Sequence, residues 1–175
     1  MVVTRGDVDL SPVVSTLLHF DEVIVWDNSK RRDVSVYGRF LGAAEARNEV
    51  VYVQDDDCLV DSAAVVAEYR PGVVSSNVPM ARRAFYSDGV TLIGWGAIFD
   101  RAIAWDAFGR YWERFAADGF FQRECDRIFT GLSKCRNFEA GLEHLEYASG
   151  SDRMGAEKRH LSDLAEVRGR LRAIR

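Results

Sequence analysis

Val50-Val51-Tyr52-Val53-Gln54-Asp55-Asp56-Asp57-Cys58-Leu59-Val60 is the stretch on which the fold turns. Its first half is short, apolar and β-branched, which suits a strand covered on both faces. It then runs into three consecutive carboxylates before turning apolar again. Adjacent negative charges at a strand end repel one another unless a cation sits among them. Hard divalent ions prefer oxygen ligands, and Mg²⁺ is commonly held by one or two carboxylates plus substrate phosphates. A solvated acidic turn is the plainer reading of such a triplet, so its neighbours decide.

Upstream, Met1-Val2-Val3-Thr4 reads as a strand that stops at Arg5-Gly6-Asp7. Leu10, Val13, Val14, Leu17 and Leu18 recur at helical spacing after Ser11-Pro12. Glu22 to Trp26 is a second strand ending in the polar cluster Asp27-Asn28-Ser29. This β-α-β order predicts parallel strands with a right-handed crossover. Ligands of open parallel sheets bind at the carboxyl ends of the strands, so the first two loops and the Asp triplet are expected at one edge. Val34 to Val36 is a possible short strand, and Tyr37-Gly38-Arg39-Phe40 leads into an alanine-rich helix, Leu41 to Arg47.

Downstream, Ser62 to Tyr69 reads as a helix, Val73 to Val78 as a strand, and Arg82 to Gly89 as a loop with two adjacent arginines. Val90 to Phe99 reads as a strand broken by Gly94 and Gly96, glycines that mark a bulge or a close backbone approach to a ligand. Trp105, Phe108, Trp112 and Phe115 form one helical stripe, and Phe121, Cys125, Ile128, Phe129 and Leu132 a second. Glu124 and Asp126 flank Cys125 and point away from that stripe, toward solvent or toward the cleft. Glu139 to Tyr147 fits a strand or a helix equally, and Ser149-Gly150-Ser151-Asp152 reads as a flexible joint. Residues 1–150 are thus expected to form one domain. Residues 151–175 add a basic loop, Lys158-Arg159-His160, and an amphipathic helix carrying Leu161, Leu164, Leu171 and Ile174.

At 175 residues the chain is long enough to bury a sizeable core. With 23 Lys+Arg against 27 Asp+Glu, the net charge of −4 advertises neither nucleic acid nor an anionic membrane. The cysteines Cys58, Cys125 and Cys135 have no C-x-x-C spacing and read as reduced thiols of a cytoplasmic protein. No run of about 18 apolar residues occurs, so no membrane association is expected. Walker, G-x-G-x-x-G, G-x-S-x-G and H-E-x-x-H motifs are absent.

With its β-α-β start, Asp-Asp-Asp closing an inner strand, Gly94-Trp95-Gly96 and a late helical carboxylate, the chain resembles a GT-A-fold glycosyltransferase. The exostosin-type C-terminal domain is a distant likeness. The resemblance implies an α/β fold, a Rossmann-like, mostly parallel sheet flanked by helices, with Asp55-Asp56-Asp57 as the D-x-D motif holding Mn²⁺ or Mg²⁺ against a nucleotide diphosphate. It implies that Thr4, Arg5, Asp27 and Asn28 meet the nucleoside, that Arg39 reaches the diphosphate or base, that Asp55 contacts the ribose or the metal, with Asp56 also on the donor side, and that Asp57 binds the metal most directly. Asp126, with Glu124 in reserve, stands where that family places an acid facing the reacting sugar, although Cys125-Asp126 replaces the family's Glu-Asp pair. Lys158, Arg159 and His160 stand where a C-terminal loop closes over the diphosphate, with His160 as a further metal ligand. Gly94, Trp95 and Gly96 would seat the acceptor.

The expected activity is metal-dependent transfer of a sugar from a nucleotide-diphosphate sugar, UDP-linked at best guess, to an acceptor hydroxyl, by a bacterial or phage enzyme, monomeric or homo-oligomeric. Acceptors left open are a glycan, a small molecule, a protein side chain and a modified DNA base. A nucleotidyltransferase is the rival enzyme, for which Arg5-Gly6-Asp7 is a poor triphosphate loop. A nucleotide-sugar binding module without catalysis is the rival from another class.

Overall fold

The apolar start forms β1 (Val2–Thr4), and α1 (Ser11–Ser15) begins where Pro12 presets the first turn. There follow β2 (Val25–Asp27), α2 (Gly38–Glu45), β3 (Val50–Asp55), β4 (Cys58–Val60), α3 (Ser62–Ala67), β5 (Val74–Asn77) and β6 (Ala97–Asp100). The chain continues through α4 (Arg101–Trp112), α5 (Gly119–Leu132), β7 (Cys135–Phe138), β8 (Leu142–His144) and α6 (Arg153–Ile174). The structure, a computed structural model, describes residues 1–86, 88–145 and 153–175, with side chains throughout except at 144 and 153–162. The expected joint at Ser149 to Asp152 and the end of the Glu139–Tyr147 segment lie outside the described residues.

Six strands make one sheet in the order β2-β1-β3-β6-β5-β7. β1 is parallel to both β2 and β3, β5 is parallel to β7, and β6 runs antiparallel between β3 and β5. The mostly parallel α/β sheet expected from the sequence is therefore present. The carboxyl ends of β1, β2, β3, β5 and β7 share one edge, and the chain enters β6 from that same edge. Thr4, Asp27, Asp55, Asn77 and Gly94–Gly96 are thereby gathered there.

β3 alternates as a strand covered on both faces must. Val51 and Val53 join the core that holds Phe40, Phe99, Phe108, Phe121 and Phe129, while Tyr52 packs on the opposite face with Val2, Leu17, Val65 and Ile98. Phe108 meets Phe40 edge-on at 4.8 Å, an arrangement aromatic quadrupoles favour. β4 then leaves the main sheet and pairs antiparallel with β8, so Asp56 and Asp57 form the turn between the two sheets.

Several elements differ from expectation. Val34 to Val36 is not a strand: Ser35–Tyr37 is a 3₁₀ turn, entered through Ser35 at φ 55 with its N–H bonded to the Asp33 carboxylate. Of the Val90–Phe99 run only the part from Ala97 onward is strand, as the start of β6, because Gly96 sits at φ +98, outside the β region. The buried face of α4 is Ala104, Ala107, Phe108 and Tyr111, leaving Trp112 partly exposed. Lys158, Arg159 and His160 are not in a loop, since α6 runs unbroken from Arg153 through a segment rich in Ala, Glu, Lys, Arg and Leu. Leu164, Val167 and Leu171 of α6 are buried in the main core, Leu171 facing Gly131 of α5.

Candidate functional site

Gln54 fixes the acidic turn from beneath. Its side chain is fully buried, accepts from the Tyr52 hydroxyl at 2.6 Å and donates to the Cys58 carbonyl at 2.9 Å. The two ends of Asp55-Asp56-Asp57 are thus tied together, and Leu145 N–H adds a bond to the Asp57 carbonyl at 2.8 Å.

Arg39, at the start of α2 and 1 % exposed, reaches both acids that the sequence analysis set apart. Its Nη2 donates to Asp55 Oδ1 at 2.5 Å, and its Nη1 lies 3.2 Å from Asp126 Oδ2. Burial opposes the guanidinium charge, but Asp126 and Asp55 outweigh it and raise the Arg39 pKa above the ordinary value. Asp126 is 2 % exposed; burial raises its pKa, against the pull of Arg39. Its Oδ2 accepts from Ile93 N–H at 3.3 Å, while Oδ1 has no hydrogen-bond partner among the described residues. Asp126 is therefore sealed beneath the edge and acts on the surface through Arg39 and Ile93.

The irregular run from Val90 to Gly96 would strand its backbone groups without such partners. One turn along α5 from Asp126, Thr130 accepts from Thr91 N–H at 2.9 Å and donates to the Thr91 carbonyl at 3.0 Å. Ser76 donates to the Leu92 carbonyl, Asn77 Nδ2 to the Trp95 carbonyl and Asn77 N–H to the Gly96 carbonyl, at 2.8–2.9 Å. Asp55 N–H bonds the Gly94 carbonyl at 2.7 Å, and the Asp55 carboxylate lies directly against Gly94 where a β-carbon would stand. Buried polar residues of α5 and β5 thus hold Gly94-Trp95-Gly96 beside the acidic turn.

Above these residues opens a cleft of about 500 Å³ lined by Asp57, Pro79, Arg82, Trp95, Glu139 and Leu142, among others. A cavity of similar size, about 570 Å³, lies at the opposite edge among Met1, Phe20, Glu22, Glu49 and Tyr52. Only the first stands at the carboxyl edge, where parallel sheets bind ligands.

The remaining expected residues are placed as follows. Thr4 is buried, its hydroxyl accepting from Gly6 N–H at 3.0 Å, and Arg5 pairs with Asp7 at 3.2 Å on the surface. Lys30 at 2.8 Å and the Ser29 hydroxyl at 2.6 Å hold the Asp27 carboxyl down to about 2. Asn28 is spent on its own loop, accepting from Trp26 and Val34 and donating to Ser35. Asp56 lies in the turn itself. The side chains of Lys158, Arg159 and His160 lie outside the described residues. Gln54, Ser76, Asn77 and Thr130 were missed from the sequence; their signal was a polar residue inside an apolar strand or helix.

Glu124, 7 % exposed, pairs with Arg127 at 2.5 Å. Burial outweighs Arg127 and, with Asp163 adding repulsion, lifts the Glu124 carboxyl from 4.5 to about 7. The folded protein then holds a proton that the unfolded chain has lost, so stability falls as pH rises from 4.5 toward 7 and levels off above. Glu124→Gln is expected to flatten that part of the stability profile, measured by urea denaturation at half-unit pH steps.

Among the described residues no three His, Cys, Asp or Glu side chains come together to hold a metal ion, and no helix is long and apolar enough to cross a membrane. Asp55, one-third exposed with one oxygen on Arg39, and Asp57, in the cleft wall, offer hard oxygen donors. Two such donors are too few to cage an ion by protein alone, and an ion held by one or two carboxylates takes its remaining ligands from water or phosphate oxygens. Comparison of the chain with protein-family models, curated proteins and solved structures finds no match.

Proposed function

We propose that the chain is a GT-A-type glycosyltransferase that moves a sugar from a nucleotide-diphosphate sugar, a UDP-sugar, to an acceptor hydroxyl with the help of Mn²⁺ or Mg²⁺. What supports this reading is that Thr4, Asp27, the Asp55–Asp57 turn and Gly94–Gly96 all lie at the carboxyl edge of one mostly parallel sheet, and that Asp57 and Trp95 wall a cleft at that edge. Asp55 and Asp57 would hold the ion. When bound, it would offset the charge that builds on the departing diphosphate. Arg39 keeps Asp55 aimed at that position, and Asp126 keeps Arg39 and Ile93 in place, so Asp126 is a positioning residue.

A panel of UDP, GDP, CDP and dTDP sugars, each with and without Mn²⁺, tests the reading by thermal shift. Ligand at 100 times its dissociation constant stabilises by about 2.7 kcal/mol, roughly 5–10 °C for a chain of this size. With only two carboxylates to offer, Mn²⁺ alone is expected to shift the midpoint little, and Mn²⁺ with a matching donor to shift it fully. Asp57→Ala is expected to abolish the metal-dependent part. A midpoint that no donor moves in the presence of Mn²⁺ would sink the proposal. The burial of both helical carboxylates, Asp126 and Glu124, favours a second reading, a nucleotide-sugar binding module. Stabilisation without release of nucleotide diphosphate would decide for it.

A further inference from the structure

Among the described residues two carboxylates line the cleft, Asp57 and Glu139. The first belongs to the ion under the reading above, and Asp126 and Glu124 are shut beneath Arg39 and Arg127. Glu139 is different in kind, its side chain 45 % exposed at the cleft wall.

Its surroundings hold it in register with the acceptor side. Glu139 follows the last residue of β7, Phe138, whose carbonyl accepts from Val78 N–H at 2.8 Å. The next residue, Ala140, donates its N–H to Asn77 Oδ1 at 2.8 Å, and the same Asn77 amide donates to the Trp95 carbonyl at 2.8 Å. One buried asparagine thus sets both Glu139 and Trp95. Glu139 Oε1 accepts from Met80 N–H at 3.2 Å, and Oε2 stands 3.9 Å from Arg83 Nη2. An aromatic ring beside a carboxylate and Arg82 offers an apolar plate with polar groups at its rim. That combination suits a sugar ring, which presents a C–H face and a fringe of hydroxyls.

Resting on the glycosyltransferase reading, we infer that Glu139 is the general base for an acceptor sugar seated on Trp95, and that transfer is a single inverting displacement. The acceptor oxygen forms the new bond to the anomeric carbon as the bond from that carbon to the diphosphate oxygen breaks. The electron pair leaves with the diphosphate, and the acceptor's proton passes to Glu139.

The test uses the full chain, Mn²⁺, the donor that stabilises it best, and methyl and p-nitrophenyl glycosides as acceptor probes, with water as the basal acceptor. Glutamine at 139 keeps an oxygen for Met80 N–H, so Glu139→Gln is expected to retain the donor-induced thermal shift while release of nucleotide diphosphate falls about 10²–10⁴-fold. Added formate is expected to restore part of the rate of Glu139→Ala, which loss of a merely structural contact would not allow. The product's anomeric configuration, read by NMR, is expected to be opposite to the donor's. Undiminished turnover in Glu139→Gln, retention of configuration, or a wild-type protein that binds donor yet turns over with neither water nor any glycoside overturns the assignment. If no donor stabilises the wild type, the glycosyltransferase reading itself fails, and this assignment with it.

Discussion

Arg39→Met is expected to destabilise the protein by about 3–5 kcal/mol, the range for breaking a buried ion pair by removing one partner. The guanidinium lies between Asp55 and Asp126 and is the cation in contact with both. Without it, Asp126 is an uncompensated charge with one oxygen already lacking a hydrogen-bond partner among the described residues. Its carboxyl pKa, already raised by burial, rises further once the opposing pull of Arg39 is gone. For an acid whose folded pKa lies above its unfolded one, stability is full below the unfolded pKa and is lost as pH climbs toward the folded pKa. The deficit of Arg39→Met should therefore be larger at pH 8 than at pH 5. Arg39→Lys is not expected to rescue, because an ammonium is a point charge and cannot present two fork nitrogens to two carboxylates. Adding Asp126→Asn to Arg39→Met should recover a substantial part of the loss, since the orphaned charge goes with it. Urea midpoints of the four proteins at the two pH values decide the matter. A double variant no more stable than Arg39→Met alone would mean that the buried acid is not what the arginine compensates.

That ion network marks the limit of what the linear chain discloses. The β-branched run Val50 to Val53 announces an inner strand by composition alone, and the β-α-β order then sends the ends of β1, β2 and β3 to a common edge. Those inferences are local or follow from handedness, so they survive folding. The partners of Arg39 lie 16 and 87 positions away, distances over which no periodicity speaks. The helical wheel of α5 sets Glu124 and Asp126 off the apolar stripe, toward solvent or the cleft, but both are buried, because the wheel carries no knowledge of segments such as Val90–Gly96 that pack on the helix. A helix buried nearly all round must pair its polar residues, and Asp126, Arg127, Thr130 and Glu124 are the result. The Val90–Phe99 run misleads for a related reason. Its apolar pattern is strand-like, yet from Thr91 to Ile93 its backbone is held by the side chains of Thr130, Ser76 and Asp126, and regular strand pairing begins only at Ala97. Glu139, an unremarkable acid in the sequence, acquires its place only because β7 ends beside β5.

Gly94→Ala is expected to remove metal-dependent donor binding, with a stability cost of about 1–3 kcal/mol, typical of overpacking. The three atoms nearest to a β-carbon at 94 all belong to the Asp55 carboxylate, well inside van der Waals contact. A long, flexible side chain could swing clear of a new methyl group. Asp55 has only two side-chain torsions, is tethered by Arg39 Nη2 at 2.5 Å, and has its N–H on the Gly94 carbonyl. To admit the methyl group it must rotate, which withdraws one of the two oxygen ligands offered to the ion and loosens Arg39. The functional loss and the stability loss then share one cause but can be separated. In Asp55→Ala/Gly94→Ala the clash has nothing left to strike, so the cost specific to Gly94→Ala should largely vanish on the Asp55→Ala background. Two neighbours in contact are where such non-additivity is expected. The Mn²⁺-dependent thermal shift should stay absent in the double variant, because the ligand itself is gone. Additive stability losses would mean that the glycine is required for backbone freedom and not for its closeness to Asp55. A Gly94→Ala protein that still shows the full Mn²⁺-dependent shift would mean that Asp55 takes no part in holding the ion.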